Sequence, residues 1–397
     1  MLRILAFFIH GYKWGEKVRG DERRFMEIAK EFRKAGMRLY VIEHSPSMQK
    51  FYHKTSIYHS LEIPSQSKLK SPLLTALMQM FHTLLFVTRI CFKLRHKVDI
   101  IYVHNQDVSN LIPAFISKLI MREPLVVVLH SLRDFNLPLK DLLKTYRRTA
   151  LDGLLIIVHR IVGRRILKIA DIIFAVSDTI KREAIKYLGS VRVIVTGNGV
   201  DANKFRPLNL EKEYHAVFHG RIDFVQKGIG TLLKAWRVVT NNFPSVKLLL
   251  IGGFEDDHNR KLLIEFIEIL GLKNNVTVTG FVSDDELIDL LNKSKIFVLP
   301  SRFEGFGLSV LEAMSCGLPC IISDIPVFRE LHRGIAFLVP QYEIEGFANA
   351  LLQILNSKRE YYRMSSISRE HALKFSWSNV AKREMLLLQS ISRWFKG

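Results

Sequence analysis

Short apolar runs alternate with longer helical stretches along the whole chain, and this alternation limits the fold more than any other feature. In the first half the runs are Leu2–Ile9, Leu39–Glu43, Asp99–Val103, Leu125–Leu129, Ile172–Val176 and Arg192–Val195. In the second they are Tyr214–Phe218, Lys247–Ile251, Val276–Thr279, Ile296–Leu299 and Cys320–Ser323. Their rich Val, Ile and Leu content suits strands buried on both faces, as parallel sheets require. The stretch Arg23–Arg33 shows helical periodicity and stops at Gly36. The pattern predicts a doubly wound α/β domain occurring twice, and 397 residues exceed what one typical core needs. Asn203–Asn209 has the proline and polar character of a linker, which divides the chain into 1–204 and 205–377. There is no short-period repeat and no low-complexity tract.

The composition, 48% hydrophobic, excludes wholesale disorder. Three cysteines, Cys91, Cys316 and Cys320, form no metal-binding pair set and fit a reducing compartment. Cys316 and Cys320 read as space-filling beside Gly317 and Pro319. The apolar stretch at Met1–His10 is too short for a signal peptide and reads as a first buried strand. Charge is unevenly spread: residues 1–200 hold 33 Lys and Arg against 16 Asp and Glu (+17), and residues 201–397 hold 25 against 22 (+3). The first half therefore attracts polyanions, whether nucleic acid, anionic lipid headgroups or an acidic acceptor. Two of its segments bear on a membrane. Ser71–Thr88 carries no charge and barely reaches spanning length, but Gln79, His82 and two threonines interrupt it, so a mostly buried helix is expected. In Leu151–Lys168 an apolar start precedes His159, Arg160, Arg164, Arg165 and Lys168, which suits either a bilayer surface or a solvated helix end.

The stretch Ser301-Arg302-Phe303-Glu304-Gly305-Phe306-Gly307-Leu308-Ser309-Val310-Leu311-Glu312-Ala313-Met314 puts two carboxylates eight positions apart around a glycine turn. It follows a strand and opens into a helix, whose free backbone N–H groups and dipole suit a phosphate. With a helix start at Leu308, Glu312 lies about 6 Å further along the axis at about 1.5 Å per residue. A ligand with a central diphosphate and hydroxyl-rich ends would meet an acceptor carboxylate at each end. Spacing alone leaves two solvated acids an equal reading.

Other candidates stand at strand ends, where doubly wound folds collect ligands. His130 directly follows Leu125–Leu129 and suits a hydrogen bond to a sugar hydroxyl or proton transfer. In Gly220-Arg221-Ile222-Asp223-Phe224-Val225-Gln226-Lys227-Gly228, two cations on one short loop suit a diphosphate. The glycine-bearing loop Gly11–Glu22 matches neither the dinucleotide fingerprint nor the P-loop spacing. Turn chemistry explains Thr196–Asp201. No Asp-x-Asp pair follows a strand and no His/Cys cluster has ligand spacing, so the residues call for no metal and no cofactor; Arg221, Lys227 and a helix N-terminus suit the neutralising role.

Taken together these motifs resemble the retaining glycosyltransferases of family 4, the group 1 transferases, which have the GT-B fold. The resemblance runs along nearly the whole chain. It rests on Asn198-Gly199-Val200-Asp201 with Phe205 and Pro207, Gly220-Arg221-Ile222-Asp223 with Lys227-Gly228, and Gly280-Phe281-Val282. Its most specific part is Glu304-Gly305-Phe306-Gly307-Leu308 with Glu312-Ala313-Met314, Gly317 and Pro319. It implies two Rossmann-like domains facing across a cleft, with the segment from Phe375 crossing back so that about 378–397 completes the first domain. It implies that Arg221 and Lys227 grip the donor diphosphate, Glu304 and the backbone of Gly305, Phe306, Gly307 and Leu308 meet the transferred sugar, and Glu312 binds the ribose. His130 would contact the donor sugar from the opposite domain, and backbone near Val282 would hold the base. Where the family's first loop carries two glycines, this chain has Arg19-Gly20, an arginine that either adds a contact or narrows the donor site.

The implied function is metal-independent, retaining transfer of a hexosyl group from a UDP- or GDP-sugar to a glycan or lipid-linked acceptor. The enzyme would be cytoplasmic and peripheral on the inner membrane face, with the nucleotide sugar as co-substrate and no nucleic acid as partner. The alternatives are a soluble disaccharide synthase or glycoside phosphorylase of the same fold, and a non-catalytic polyanion-binding protein.

Overall fold

The computed structural model describes residues 1–9, 19–43, 58–62, 72–132, 135, 150–254 and 257–396. The chain forms two compact units, Met1–Gly197 with Trp377–Gly397, and Asn198–Ser376.

In unit 1 the order is β1 (Arg3–Phe8), α1 (Gly20–Lys34), β2 (Arg38–Glu43), β3 (Tyr58–Glu62), α2 (Pro72–Leu94), β4 (Ile100–Val103), α3 (Val108–Met121), β5 (Leu125–Leu129), α4 (Ala150–Ile169), β6 (Ile172–Ala175), α5 (Asp178–Leu188) and β7 (Val193–Val195). The strands form a parallel sheet in the order β3-β2-β1-β4-β5-β6-β7. The order reverses between β1 and β4, so the ends of those two strands open a crevice where such sheets bind ligands. Right-handed crossovers put α2, α3, α4 and α5 on one face of the sheet and α1 on the other. All of β4 and β5 is buried, as their unbroken aliphatic runs predict.

Unit 2 comprises β8 (Tyr214–His219), α6 (Ile229–Asn242), β9 (Leu248–Ile251), α7 (Asp257–Ile269), β10 (Val276–Gly280), α8 (Asp284–Asn292), β11 (Ser294–Leu299), α9 (Leu308–Ser315), β12 (Cys320–Ser323), α10 (Pro326–His332), β13 (Phe337–Val339), α11 (Ile344–Asn356) and α12 (Lys358–Ala372). Its parallel sheet runs β10-β9-β8-β11-β12-β13, with the reversal between β8 and β11. The polar segment Asn203–Asn209 is fixed to this unit: Phe205 is buried, and its carbonyl accepts from Ser315 Oγ (2.6 Å) and Arg369 Nη1 (3.0 Å). Asn292 holds the same segment, accepting from the Leu208 amide at 2.7 Å and donating to the Arg206 carbonyl at 3.0 Å.

The last helix, α13 (Trp377–Lys396), belongs to unit 1 and packs on α1. Between them a fully buried Arg24 guanidinium pairs with Glu384 and donates to Thr196 Oγ1 at 2.9 Å, while Tyr102 Oη donates to Glu384 at 2.9 Å. A buried ion pair of this kind persists only where the remaining donors and acceptors are met.

Two features differ from the sequence reading. The strands Tyr58–Glu62, which has no strong apolar pattern, and Phe337–Val339, which is apolar but only three residues long, pair as sheet edges. Over the described side chains of 78–88 the helix is not mostly buried: Met78, Phe81 and Leu85 of α2 are exposed while Thr83 and Val87 face inward. No helix among the described residues is long and apolar enough to cross a membrane. Residues 11–18 of the Gly11–Glu22 loop, Ser71 and the side chains of 72–77 and 151–155 lie outside the described residues.

Candidate active site

The reversal point of unit 2 gathers most of the predicted donor residues. The loop after β8 brings Arg221 and Lys227, and the loop after β11 brings Glu304. The Asp223 carboxylate shapes the first loop by accepting from the amides of Val225 (2.6 Å) and Gln226 (2.8 Å), with Arg221 Nη2 at 3.1 Å from its second oxygen. Gln226, which the sequence did not single out, ties the loops together. Its Oε1 accepts from Arg221 Nη2 at 2.6 Å, its Nε2 donates to the Phe303 carbonyl at 3.4 Å, and its own carbonyl accepts from the Arg302 amide at 2.8 Å. Gly228 permits the close approach: it sits at φ +67°, and a Cβ there would lie 2.2 Å from the Pro300 carbonyl oxygen.

Lys227 Nζ lies 2.6 Å from Glu304 Oε1, which also accepts from Ser301 Oγ at 2.8 Å. Glu304 is thus a paired, largely desolvated acid and not a solvated one. The helix α9 starts at Leu308 as expected, after Gly307 at φ +92°, and its first amides face this edge of the sheet. Gly305, Phe306 and Gly307 form the turn into it, and Phe306 is buried with its ring edge-on to Phe375 at 6.1 Å. Glu312, one turn into α9, is buried with its Oε2 at 3.4 Å from Nδ1 of His219, the last residue of β8. Val282 is half-buried two residues past β10, just before the Ser283 cap of α8. Burial pushes the Cys316 thiol up to about 12, with the Glu312 charge adding to it, so this cysteine is a space-filling group.

His130, Arg19 and Gly20 belong to unit 1, at the reversal point of its own sheet. Gly20 opens α1, and Glu22 accepts from the Arg19 amide at 2.8 Å. The Arg19 guanidinium makes two 3.0 Å bonds to Asp21 and a third, also 3.0 Å, to Asp107. Asn105 Nδ2 donates to Asp21 at 2.8 Å and to Asp107 at 3.1 Å. Burial would raise the Asp21 carboxyl, but the Arg19 charge and the Asn105 hydrogen bond hold it well below the usual carboxylate range. Burial pushes His130 down to about 3, against the pull of Asp21, so its ring is neutral near pH 7. Its Nε2 stands 3.0 Å from the His104 carbonyl oxygen and must therefore be the donor there. The neutral ring then has Nδ1 left as an acceptor. Asp21, Asn105 and Asp107 escaped the sequence reading because their partners lie up to 88 residues away. Among the described residues no three His, Cys, Asp or Glu side chains are grouped to hold a metal ion.

Two doubly wound parallel-sheet units with polar clusters at their reversal points define a GT-B glycosyltransferase fold. Sucrose-phosphate synthase from Thermosynechococcus elongatus has a similar fold, with a TM-score of 0.76 at 18% identity, covering 98% of this chain and 99% of that one. Anabaena HepE, solved in complex with UDP and glucose, gives a TM-score of 0.75 at 21% identity, covering 98% and 100%. Residues 18–204 match the family described as Glycosyltransferase Family 4, and residues 200–371 match Glycosyl transferases group 1. The chain belongs to these glycosyltransferases. It is 26% identical over 303 residues to a phosphatidyl-myo-inositol mannosyltransferase of Mycolicibacterium smegmatis, covering 74% of this chain and 72% of that protein.

Proposed function

We propose that the enzyme moves a hexosyl group, with mannosyl as the first choice, from a UDP- or GDP-sugar to a hydroxyl of a glycan or lipid-linked acceptor. Transfer would retain the anomeric configuration, need no bound metal, and occur at the cytoplasmic face of a membrane. The observation that carries this reading is the meeting of Lys227 and Glu304 at the reversal point of unit 2, with Arg221 tied to the same loops through Gln226. The mannosyltransferase relative supports the sugar and the lipid acceptor, and the UDP in HepE supports the donor class.

In this reading Arg221, Lys227 and the first amides of α9 hold the diphosphate and stabilise its charge as the bond to the sugar breaks. Glu304 exchanges part of its contact with Lys227 for hydroxyls of the transferred sugar, beside the backbone of Gly305, Phe306, Gly307 and Leu308. Glu312 accepts from the ribose hydroxyls, and the backbone at Val282 meets the base. His130 accepts from a substrate hydroxyl through Nδ1, while Arg19 and Gly20 add donor contacts at the start of α1. The acceptor oxygen bonds to the anomeric carbon, and its proton leaves with the nucleoside diphosphate. The test is incubation with UDP-, GDP- and ADP-sugars and a lipid extract, reading nucleotide release and the anomer of the product by NMR. Release from one donor class with a retained anomer is expected; no release and no binding across the panel would overturn the reading.

A further inference from the structure

The helical layer on one face of unit 1 presents a surface that the transferase chemistry does not use. On α2 the exposed residues Met78, Phe81, Leu85 and Phe92 recur at helical spacing and form one stripe, about 21 Å long at about 1.5 Å per residue. Arg89 and Lys93 are exposed along the border of that stripe, and Arg95 and Lys97 follow the helix end. The opposite side is the packed one: Thr83, Val87, Cys91 and Leu94 are buried, and Cys91 Sγ meets Ser117 Oγ of α3 at 3.0 Å. The apolar surface is therefore not left over from the core; the helix has a core face and presents a second apolar stripe.

In the same layer α4 repeats the combination. Ile157 and Ile161 are exposed in line with Arg165 and Lys168, while Ile166 and Leu167 face inward. Neither α2 nor α3 contains an acidic residue, and residues 156–169 contain none either. Aromatic and aliphatic side chains beside cations, without acids, match an anionic bilayer interface: the apolar groups enter the headgroup boundary and the cations meet lipid phosphates. A nucleic acid would leave the apolar stripe without a partner. Because α2 returns from the end of β3 to the start of β4, its first turns lie toward the sheet edge that carries His130.

We infer that the α2 and α4 face of unit 1 docks on anionic lipid. Docking is separable from the donor chemistry proposed above. The test is co-sedimentation of the purified full chain with vesicles of equal parts phosphatidylglycerol and phosphatidylcholine, against phosphatidylcholine alone. The protein is expected to pellet with the anionic vesicles and to remain in solution with the neutral ones, and added salt should weaken the association. Phe81→Ser with Phe92→Ser, and separately Arg89→Gln with Lys93→Gln, Arg165→Gln and Lys168→Gln, should each lower partitioning about tenfold. Their thermal midpoints and UDP or GDP binding should stay as in the unaltered protein, because these side chains are outside the core. Glu304→Ala should pellet normally, which separates failure of docking from failure of transfer. Docking is overturned by absent vesicle binding, by equal partitioning to neutral vesicles, or by variants that pellet like the unaltered protein. It is also overturned if Phe81→Ser with Phe92→Ser abolishes a dimer and leaves vesicle binding unchanged.

Discussion

At the residue scale, Lys227 and Glu304 neutralise each other at 2.6 Å, so either substitution has two effects. Lys227→Ala should lower kcat/KM by about 10²-fold or more, the scale of losing one preorganised charge on a leaving group. It should also lower the thermal midpoint modestly, because Glu304 loses its cation and keeps the Ser301 hydrogen bond. An unchanged kcat/KM would remove Lys227 from the chemistry. A second prediction concerns His332, fully buried, with Nδ1 at 3.2 Å from His371 Nε2 and its own Nε2 buried without a hydrogen-bond partner among the described residues. Burial first, and then His371, push it down to about 3 from an ordinary 6.5. Between those values the unfolded chain takes up a proton that the folded chain refuses, so stability falls as pH drops from about 6.5 towards 3, by up to about 1.4 kcal/mol per pH unit. Above the ordinary value the group contributes no pH dependence. Urea unfolding of His332→Leu between pH 7 and pH 5 should show a shallower loss than the unaltered protein, and equal slopes would remove this histidine from the acid response.

At the element scale, α13 is held by one buried network. Glu384→Ala would strip the Arg24 guanidinium of its paired carboxylate inside unit 1, leaving its bonds to Thr196, the Gly197 carbonyl and Tyr102. Losing one member of a buried pair costs about 3–5 kcal/mol, which urea denaturation would register as a clear fall in the midpoint. A shift below about 1 kcal/mol would mean that water replaces the carboxylate. This network also shows what was legible in the sequence. The continuous runs of β4 and β5 and the Glu304–Glu312 spacing are local signals, and the structure has a strand or helix at each. The Arg24 contact to Glu384 joins residues 360 positions apart, and no local pattern announces it. The same holds for Gln226, whose importance lies in reaching Phe303, and for β3, whose Tyr-His-Ser-Leu-Glu composition is that of an edge. The apolar content of α2 was visible, but which side of it the core would cover depends on α3, and so its exposed stripe was not.

At the scale of the whole molecule, the charge excess of the first half falls in the unit that holds the apolar and basic face of α2 and α4, and the loops of Arg221, Lys227 and Glu304 fall in the unit that is nearly neutral. On the reading proposed above, attraction to a surface and recognition of a nucleotide would fall to different pieces of one polypeptide. The strand-like contact near the unit boundary adds a further point. The Val200 amide donates to the Phe375 carbonyl at 3.0 Å, and Val200 bridges Ser376, so the segment enters and leaves unit 2 through one doorway. A module whose ends are neighbours can be excised like a cassette. Replacing 198–376 with a short glycine–serine bridge should leave a soluble remainder that melts cooperatively in calorimetry, and aggregation of that remainder would show that the two pieces need each other to fold. If the remainder stands alone, the proposed nucleotide preference becomes an exchangeable part, open to swapping among relatives while the first unit stays in place.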